Sequence, residues 1–191
     1  MKKVFVDGGA GTTGLRIKER LSLRKDVQFI TLPEEKRKVT QYRKKCLNEA
    51  DIAILCLPDD AARQAVSLID NPDTVIIDTS TAHRTDDNFV YGFAEISGLR
   101  EKIKNAKRIS NPGCHAGGFI ALVAPLVENG VISPDLTLTC FSLTGYSGGG
   151  KKMIADYEAE NGNLLCFAAV IHGAVVKGNS HFFGNVDSYA G

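Results

Sequence analysis

Two glycine-rich turns hold the residue types that could do chemistry. In the first, Gly8, Gly11 and Gly14 recur as G-x-x-G-x-x-G directly after the apolar run Val4-Phe5-Val6. Glycines at that spacing let the backbone turn tightly and approach a pyrophosphate closely. A helix starting there adds free N–H groups and the positive end of its dipole. Thr12 and Thr13 add hydroxyl donors. In the second turn, Asn111-Pro112-Gly113-Cys114-His115-Ala116-Gly117-Gly118 sets a cysteine just ahead of an apolar helical stretch. A helix start favours the thiolate of such a cysteine, and nearby backbone N–H groups can hold an oxyanion. Gly113, Gly117 and Gly118 leave the sulfur uncrowded. Taken alone, Cys114 is equally a small residue in a tight turn. A dinucleotide site beside it moves the balance to a nucleophile, because a thioester next to nicotinamide can accept hydride. His115 is not read as its base, since adjacent side chains diverge. Residues 145–150, followed by Lys151 and Lys152, form a basic loop that reads either as an anion-binding segment or as a turn.

The elements that must position these turns follow from periodicity. Residues 3–6 read as a strand, and Leu15, Ile17, Leu21 and Leu23 mark a helix after the first turn. Residues 27–32 read as a second strand, 34–38 as a charged loop and 42–48 as a polar helix. The run 52–57 is apolar throughout, as in a strand buried on both faces. Pro58 stops it, and Asp59 or Asp60 can cap a helix over 61–69. A turn at Asn71-Pro72-Asp73 leads to a strand over 75–77 that ends at Asp78. Strands and helices in alternation predict an α/β fold with a doubly wound parallel, Rossmann-type sheet. Residues 89–105 show no clear pattern. A strand is expected over 107–110, an apolar helix over 119–127 ended by Asn129-Gly130, a strand over 136–143, a helix over 151–160 and a strand over 168–176.

Composition narrows the partners. The chain has 191 residues and a formal net charge of +1, so nothing points to nucleic acid or a membrane surface. No stretch is apolar for long enough to span a bilayer. Asp7 interrupts the N-terminal apolar run before it could form a signal-peptide core, and the expected location is the cytoplasm. The five cysteines show no C-x-x-C spacing. An odd number without a signal peptide reads as free thiols, and no metal site is expected. The second strand leads into Thr31-Leu32-Pro33 and then Glu34-Glu35-Lys36-Arg37-Lys38. NAD-binding units often carry an acid at the end of this strand. The basic trio reads either as a partner for a 2′-phosphate, favouring NADP, or as a solvated loop.

Taken together, these residues resemble the N-acetyl-γ-glutamyl-phosphate reductases of arginine biosynthesis, in their shorter bacterial subclass. The resemblance is carried by residues 8–14, Leu55-Cys56-Leu57-Pro58-Asp59-Asp60-Ala61, Asp78-Thr79-Ser80-Thr81-Ala82-His83-Arg84, Tyr91-Gly92-Phe93-Ala94-Glu95, Asn111-Pro112-Gly113-Cys114 and residues 145–151, in order over about the first 160 residues. It implies an NADP-binding Rossmann-type domain over 1–113 and an incomplete α+β catalytic and dimerisation domain over 114–191. It implies that Cys114 attacks an acyl phosphate, N-acetylglutamyl phosphate, and that NADPH reduces the thioester to N-acetylglutamate 5-semialdehyde. Gly8, Gly11, Thr12, Thr13 and Gly14 would hold the cofactor, flanked by Leu57, Pro58 and Ser80. Ser110, Asn111, Ser147 and Gly148 would face the substrate. A homo-oligomer is expected.

Two departures from the family pattern stand out. The chain is much shorter than the family's usual length, which reads as a second domain cut short. The family's His-x-Pro-Glu-like segment, which supplies a general acid/base, does not occur in it. His172 and His181 lie in a stretch from about residue 164 that aligns with nothing in the family. Two other readings stay open: an aspartate-semialdehyde dehydrogenase-like enzyme, and a remnant that binds NADP without turnover.

Overall fold

Six short apolar runs pair side by side into a parallel sheet. They are β1 (Lys2–Asp7), β2 (Val27–Ile30), β3 (Ile52–Leu55), β4 (Val75–Asp78), β5 (Val90–Tyr91) and β6 (Arg108–Ser110), in the order β2-β1-β3-β4-β6-β5 with every pairing parallel. Helices α1 (Thr12–Ser22), α2 (Thr40–Glu49), α3 (Asp59–Ser67) and α4 (Leu99–Asn105) alternate with them. The computed structural model describes residues 1–9, 11–144, 154–155, 158–159, 167–175 and 182–189. The chain divides into two units, Met1–Pro112 and Gly113–Gly191.

Side-chain alternation explains why both sheet faces are covered. Val4, Val6 and Ile54 point to one face and pack with Ile17 and Leu21 of α1. Phe5, Leu55 and Ile76 point to the other and pack with Cys46 and Leu47 of α2 and Ala65 of α3. A sheet buried on both faces has apolar strands rather than alternating ones, as the sequence showed for β3. The chain leaves β1 on one side for β2 and returns to its other side for β3. Such a switch point opens a crevice at the C-terminal strand ends, where doubly wound folds bind their ligands.

The strand ends at that edge line up in one row. Asp7 lies opposite Leu55, Leu55 opposite Asp78, Asp78 opposite Ser110, and Ser110 opposite Tyr91. All five are buried. Residues in register on neighbouring strands share a face, so two carboxylates point into the layer of α2 and α3, one strand apart. Arg43 of α2 reaches Asp7 with Nε at 3.0 Å and Nη2 at 2.8 Å, and its Nη1 donates to Gln64 Oε1 at 3.1 Å. This arginine sits in a helix that the sequence marks only as polar.

The second unit holds α5 (Cys114–Glu128) and an antiparallel sheet in the order β7-β8-β9, made of β7 (Thr137–Thr144), β8 (Phe167–Val175) and β9 (Phe182–Tyr189). Asn129 ends α5, and Gly130 follows at φ 68°. A helix beside an antiparallel sheet agrees with the α+β expectation. No helix among the described residues is long and apolar enough to cross a membrane.

Several local expectations need correction. The helix expected over 119–127 begins at Cys114, because Gly113 already has the extended conformation of an N-cap and Gly117 N–H bonds its carbonyl at 2.7 Å. The strand expected over 52–57 ends at Leu55. Neither Asp59 nor Asp60 caps α3: Pro58 is the N-cap residue, no side chain caps the helix, and both acids lie in its first turn. The charged loop contains a 3-10 turn at Glu34–Lys36. The stretch without pattern holds β5 and α4, the latter entered through Gly98 at φ 77°. β9 had no counterpart in the sequence reading.

A buried ion pair is expensive to break on one side only, because the remaining charge keeps its desolvation cost. Arg43→Met is therefore expected to lower stability by about 3–5 kcal/mol, measured as the urea midpoint. The double variant Asp7→Asn with Arg43→Met should recover part of that loss.

Candidate active site

The first glycine turn forms because two of its residues have no room for a side chain. Gly8 sits at φ 78°, and a Cβ there would overlap the carbonyl oxygen of Cys56. A Cβ on Gly14 would come within 2.6 Å of Gly9 Cα. The backbone therefore folds against the exit of β3, with Gly8 also close to the Leu57 side chain. Gly11 N–H donates to Gly8 C=O at 3.0 Å, and Gly11 is the N-cap of α1 with no side chain capping the helix. First-turn N–H groups have no partner inside a helix and remain available to an anion. Lys18 adds a cation, since its Nζ would lie 2.6 Å from a Cβ on Gly9. A narrow backbone cradle, free helix N–H groups and a nearby ammonium suit a pyrophosphate. Thr13 is exposed on the first turn of α1.

The exits of β3 and β4 are tied together beside this cradle. Thr79 N–H and Oγ1 donate to Leu55 C=O at 3.0 and 2.9 Å. Thr81 N–H donates to Asp59 Oδ1 at 3.0 Å, and Thr81 Oγ1 donates to Asp59 Oδ2. Leu57, Pro58 and Ser80 thus belong to one hydrogen-bonded group of turns. Burial alone pushes the Asp59 carboxyl up, but these bonds, with Arg63 and Arg84 nearby, outweigh it and hold it below its ordinary value.

Ser80 is buried and already engaged. Its N–H donates to Asp78 Oδ1 at 3.0 Å, and its hydroxyl donates to Asp78 Oδ2 at 2.7 Å. His83 Nδ1 meets the same Oδ2 at 2.7 Å, and the imidazole stacks on Phe89 with centroids 4.3 Å apart. Sequence reasoning gave neither Asp78 nor His83 a role. The available signals were a polar cluster at the end of an apolar strand and the place of both residues in the Asp78 to Arg84 motif of the family resemblance. Arg84 completes the turn by donating to Thr79 C=O at 3.2 Å and to Asn111 C=O at 3.1 Å. Asn111 is exposed, and its N–H bonds Asp78 C=O at 2.7 Å. Ser110 is wholly buried, and its Oγ has no hydrogen-bond partner among the described residues.

In the basic segment after β2, Arg37 pairs with Glu34, and Lys36 lies 4.6 Å from the centroid of the Tyr42 ring. Lys38 is exposed.

In the second unit, Cys114 is the first residue of α5 and is exposed. Nothing lies within 4 Å of a Cβ placed on Gly118. His115 is committed to Ser142 of β7, with Nδ1 2.6 Å from Oγ. Burial pushes the Cys46 and Cys56 thiols up and away from reactivity. His172 lies on β8, opposite Thr139 and Asn185. Ser147, Gly148 and His181 lie outside the described residues. Among the described residues no group of three or more His, Cys, Asp or Glu could hold a metal.

Comparison with known proteins adds an independent line. Residues 13–106 match the semialdehyde dehydrogenase NAD-binding domain, and residues 114–172 match the semialdehyde dehydrogenase dimerisation domain. The chain is 50% identical over 158 residues to N-acetyl-gamma-glutamyl-phosphate reductase 2 of Nostoc sp., covering 82% of this chain and 49% of that protein. It is 52% identical over 159 residues to N-acetyl-gamma-glutamyl-phosphate reductase of Chelativorans sp., covering 83% and 51%. The chain spans about half the length of the curated relatives it matches. Among solved structures, aspartate semialdehyde dehydrogenase from Francisella tularensis superposes with a TM-score of 0.65 at 15% identity, covering 84% of this chain and 49% of that one. Aspartate semialdehyde dehydrogenase with NADP from Candida albicans gives 0.53 at 15% identity, covering 78% and 52%. These two likenesses bear on the fold alone.

The Asp59–Thr81 tie has a pH signature. A carboxyl held below its ordinary value stabilises the fold above that value, about 3.9, and loses the effect as pH falls through the folded-state value. The difference in urea midpoint between wild type and Asp59→Asn should be full at neutral pH and shrink steadily below about pH 4. A difference that stays constant down to about pH 2 would contradict the tie.

Proposed function

This chain belongs to the semialdehyde dehydrogenase family, and on that premise we propose that it serves the NADPH-dependent reduction of N-acetylglutamyl phosphate to N-acetylglutamate 5-semialdehyde. The observation that carries the reading is the exposed Cys114 at the first position of α5, four residues beyond the end of β6. Identity of about 50% to reductases of that name supports the substrate. Residues 1–113 serve as the dinucleotide-binding part, and residues from 114 onward as the catalytic and dimerising part of a homo-oligomer.

The Cys114 thiolate attacks the acyl carbon. The bond from that carbon to the phosphate oxygen breaks, inorganic phosphate leaves, and a thioester remains on the sulfur. First-turn N–H groups of α5 stabilise the negative charge on the acyl oxygen during attack. NADPH, when bound, would supply a hydride to the thioester carbon; the bond from that carbon to the Cys114 sulfur then breaks, which frees the aldehyde and returns the thiolate. Gly8, Gly11, Thr12, Thr13 and Gly14 hold its pyrophosphate, with Lys18 as an added cation. Leu57, Pro58 and Ser80 line its flank. Asn111, Ser110, Ser147 and Gly148 serve the substrate. NADP is favoured over NAD because the exit of β2 offers Thr31, Leu32 and Pro33 where an acid would hold free ribose hydroxyls, with exposed Lys38 close behind in the chain. The cytoplasm is the proposed location.

The reverse reaction tests this reading. Purified chain, N-acetylglutamate 5-semialdehyde, phosphate and NADP should yield NADPH in a phosphate-dependent way. Cys114→Ser should lose at least about a thousandfold in rate. A higher rate with aspartate semialdehyde would reassign the substrate. NADP binding with no turnover would remove the catalytic claim and leave a dinucleotide-binding unit.

A further inference from the structure

Asp78, His83 and Phe89 have no task in the reaction as described, yet together with Ser80 they form a buried group joined by short contacts. Asp78 is fully buried at the end of β4. A carboxylate offers only acceptors, so each of its neighbours must donate. Ser80 donates twice, from N–H and Oγ. His83 therefore donates from Nδ1, and stacking on Phe89 fixes the plane of the ring. Ser80 Oγ in turn accepts from Ala82 N–H at 3.1 Å. The hydroxyl proton of Ser80 is committed to Asp78, and the turn from Ser80 to Ala82 closes on itself. Remove the His83 donor, and Asp78 loses one of three partners. Among the described residues, Ser80 is then the only one left to compensate it.

The place of this group within the sheet gives it meaning. In a doubly wound sheet the adenosine ribose lies at the exit of the second strand and the pyrophosphate at the first turn. The other half of the dinucleotide then extends past β1 toward the exits of β3 and β4. Thr79 and Ser80 form the exit of β4, and the ties from Thr79 to Leu55 and from Thr81 to Asp59 join it to the exit of β3. We propose that His83 is a positioning residue: through Asp78 it holds the Ser80 turn in the shape that receives the nicotinamide half of the dinucleotide. This rests on the dinucleotide reading given above, and it concerns binding rather than bond breaking.

Two substitutions separate the hydrogen bond from the ring. His83→Phe keeps an aromatic ring against Phe89 and removes the donor. His83→Asn keeps an N–H donor near the position of Nδ1 and removes the ring. Binding is measured on the full chain by calorimetry with two ligands, NADPH and the adenosine fragment 2′,5′-ADP. The fragment reaches the first turn and the exit of β2 but not the exit of β4. His83→Phe should weaken NADPH on the order of tenfold and leave 2′,5′-ADP unchanged, while His83→Asn should bind NADPH within about threefold of wild type. Equal loss of both ligands in His83→Phe would mean a general loss of structure and would overturn the inference. Unchanged NADPH binding in His83→Phe would overturn it as well, as would equal weakening in both variants. Failure of the wild-type chain to bind NADPH would strike the dinucleotide reading itself, a separate outcome.

Discussion

Two carboxylates buried in the last row of a parallel sheet set the terms for everything around them. Asp7 and Asp78 close β1 and β4 with Leu55 between them in register. A buried charge is tolerated only when donors surround it. Arg43 meets this need for Asp7 from α2. Ser80 and His83 meet it for Asp78 from the turn that follows. The two solutions differ in kind. The first locks a helix to the sheet. The second folds a turn onto its own strand end, at the edge where a doubly wound sheet meets its ligand.

From that row the two functional segments lead out directly. β1 runs from Asp7 into the glycine turn, whose tight path is enforced by the Cys56 carbonyl against Gly8. β6 runs from Ser110, opposite Asp78, through Asn111 toward Cys114. Backbone bonds repeat the pattern, with Cys56 N–H on Asp7 C=O and Asn111 N–H on Asp78 C=O, each at about the length of a ladder bond: 2.8 and 2.7 Å. Residues that could touch a dinucleotide are thus anchored through buried polar groups as well as through the apolar core, on which Leu57 packs. The edge of the sheet is consequently more sensitive to single polar substitutions than its apolar centre, where swaps of similar volume are tolerated.

Much of this was legible in the sequence. Continuous apolar runs gave β1, β3 and β4, and glycine spacing gave the first turn. The misses have physical causes. β5 is two residues long and is specified by pairing with β6, which leaves no local period to detect. Asp59 has the composition of a cap, but Thr81, twenty-two positions away, claims its carboxylate. The start of α5 falls at Cys114 rather than at Phe119 because Gly117 and Gly118 look like a turn while their backbone continues a helix. Arg43 and His83 are polar letters whose burial depends on partners distant in the chain or hidden in a turn. No single-residue propensity records that. The motif around Cys114 did mark a cysteine at a helix start, since that residue is exposed and is the first of α5.

The central claim is that Cys114 takes up the acyl group while phosphate leaves. The most direct measurement is intact-mass and peptide mass spectrometry after the chain meets N-acetylglutamyl phosphate with no nicotinamide cofactor present. The account predicts one acyl group per chain, located on the peptide carrying Cys114, with one phosphate released for each and none in Cys114→Ser. Phosphate release without an adduct, or an adduct on another cysteine, would contradict it.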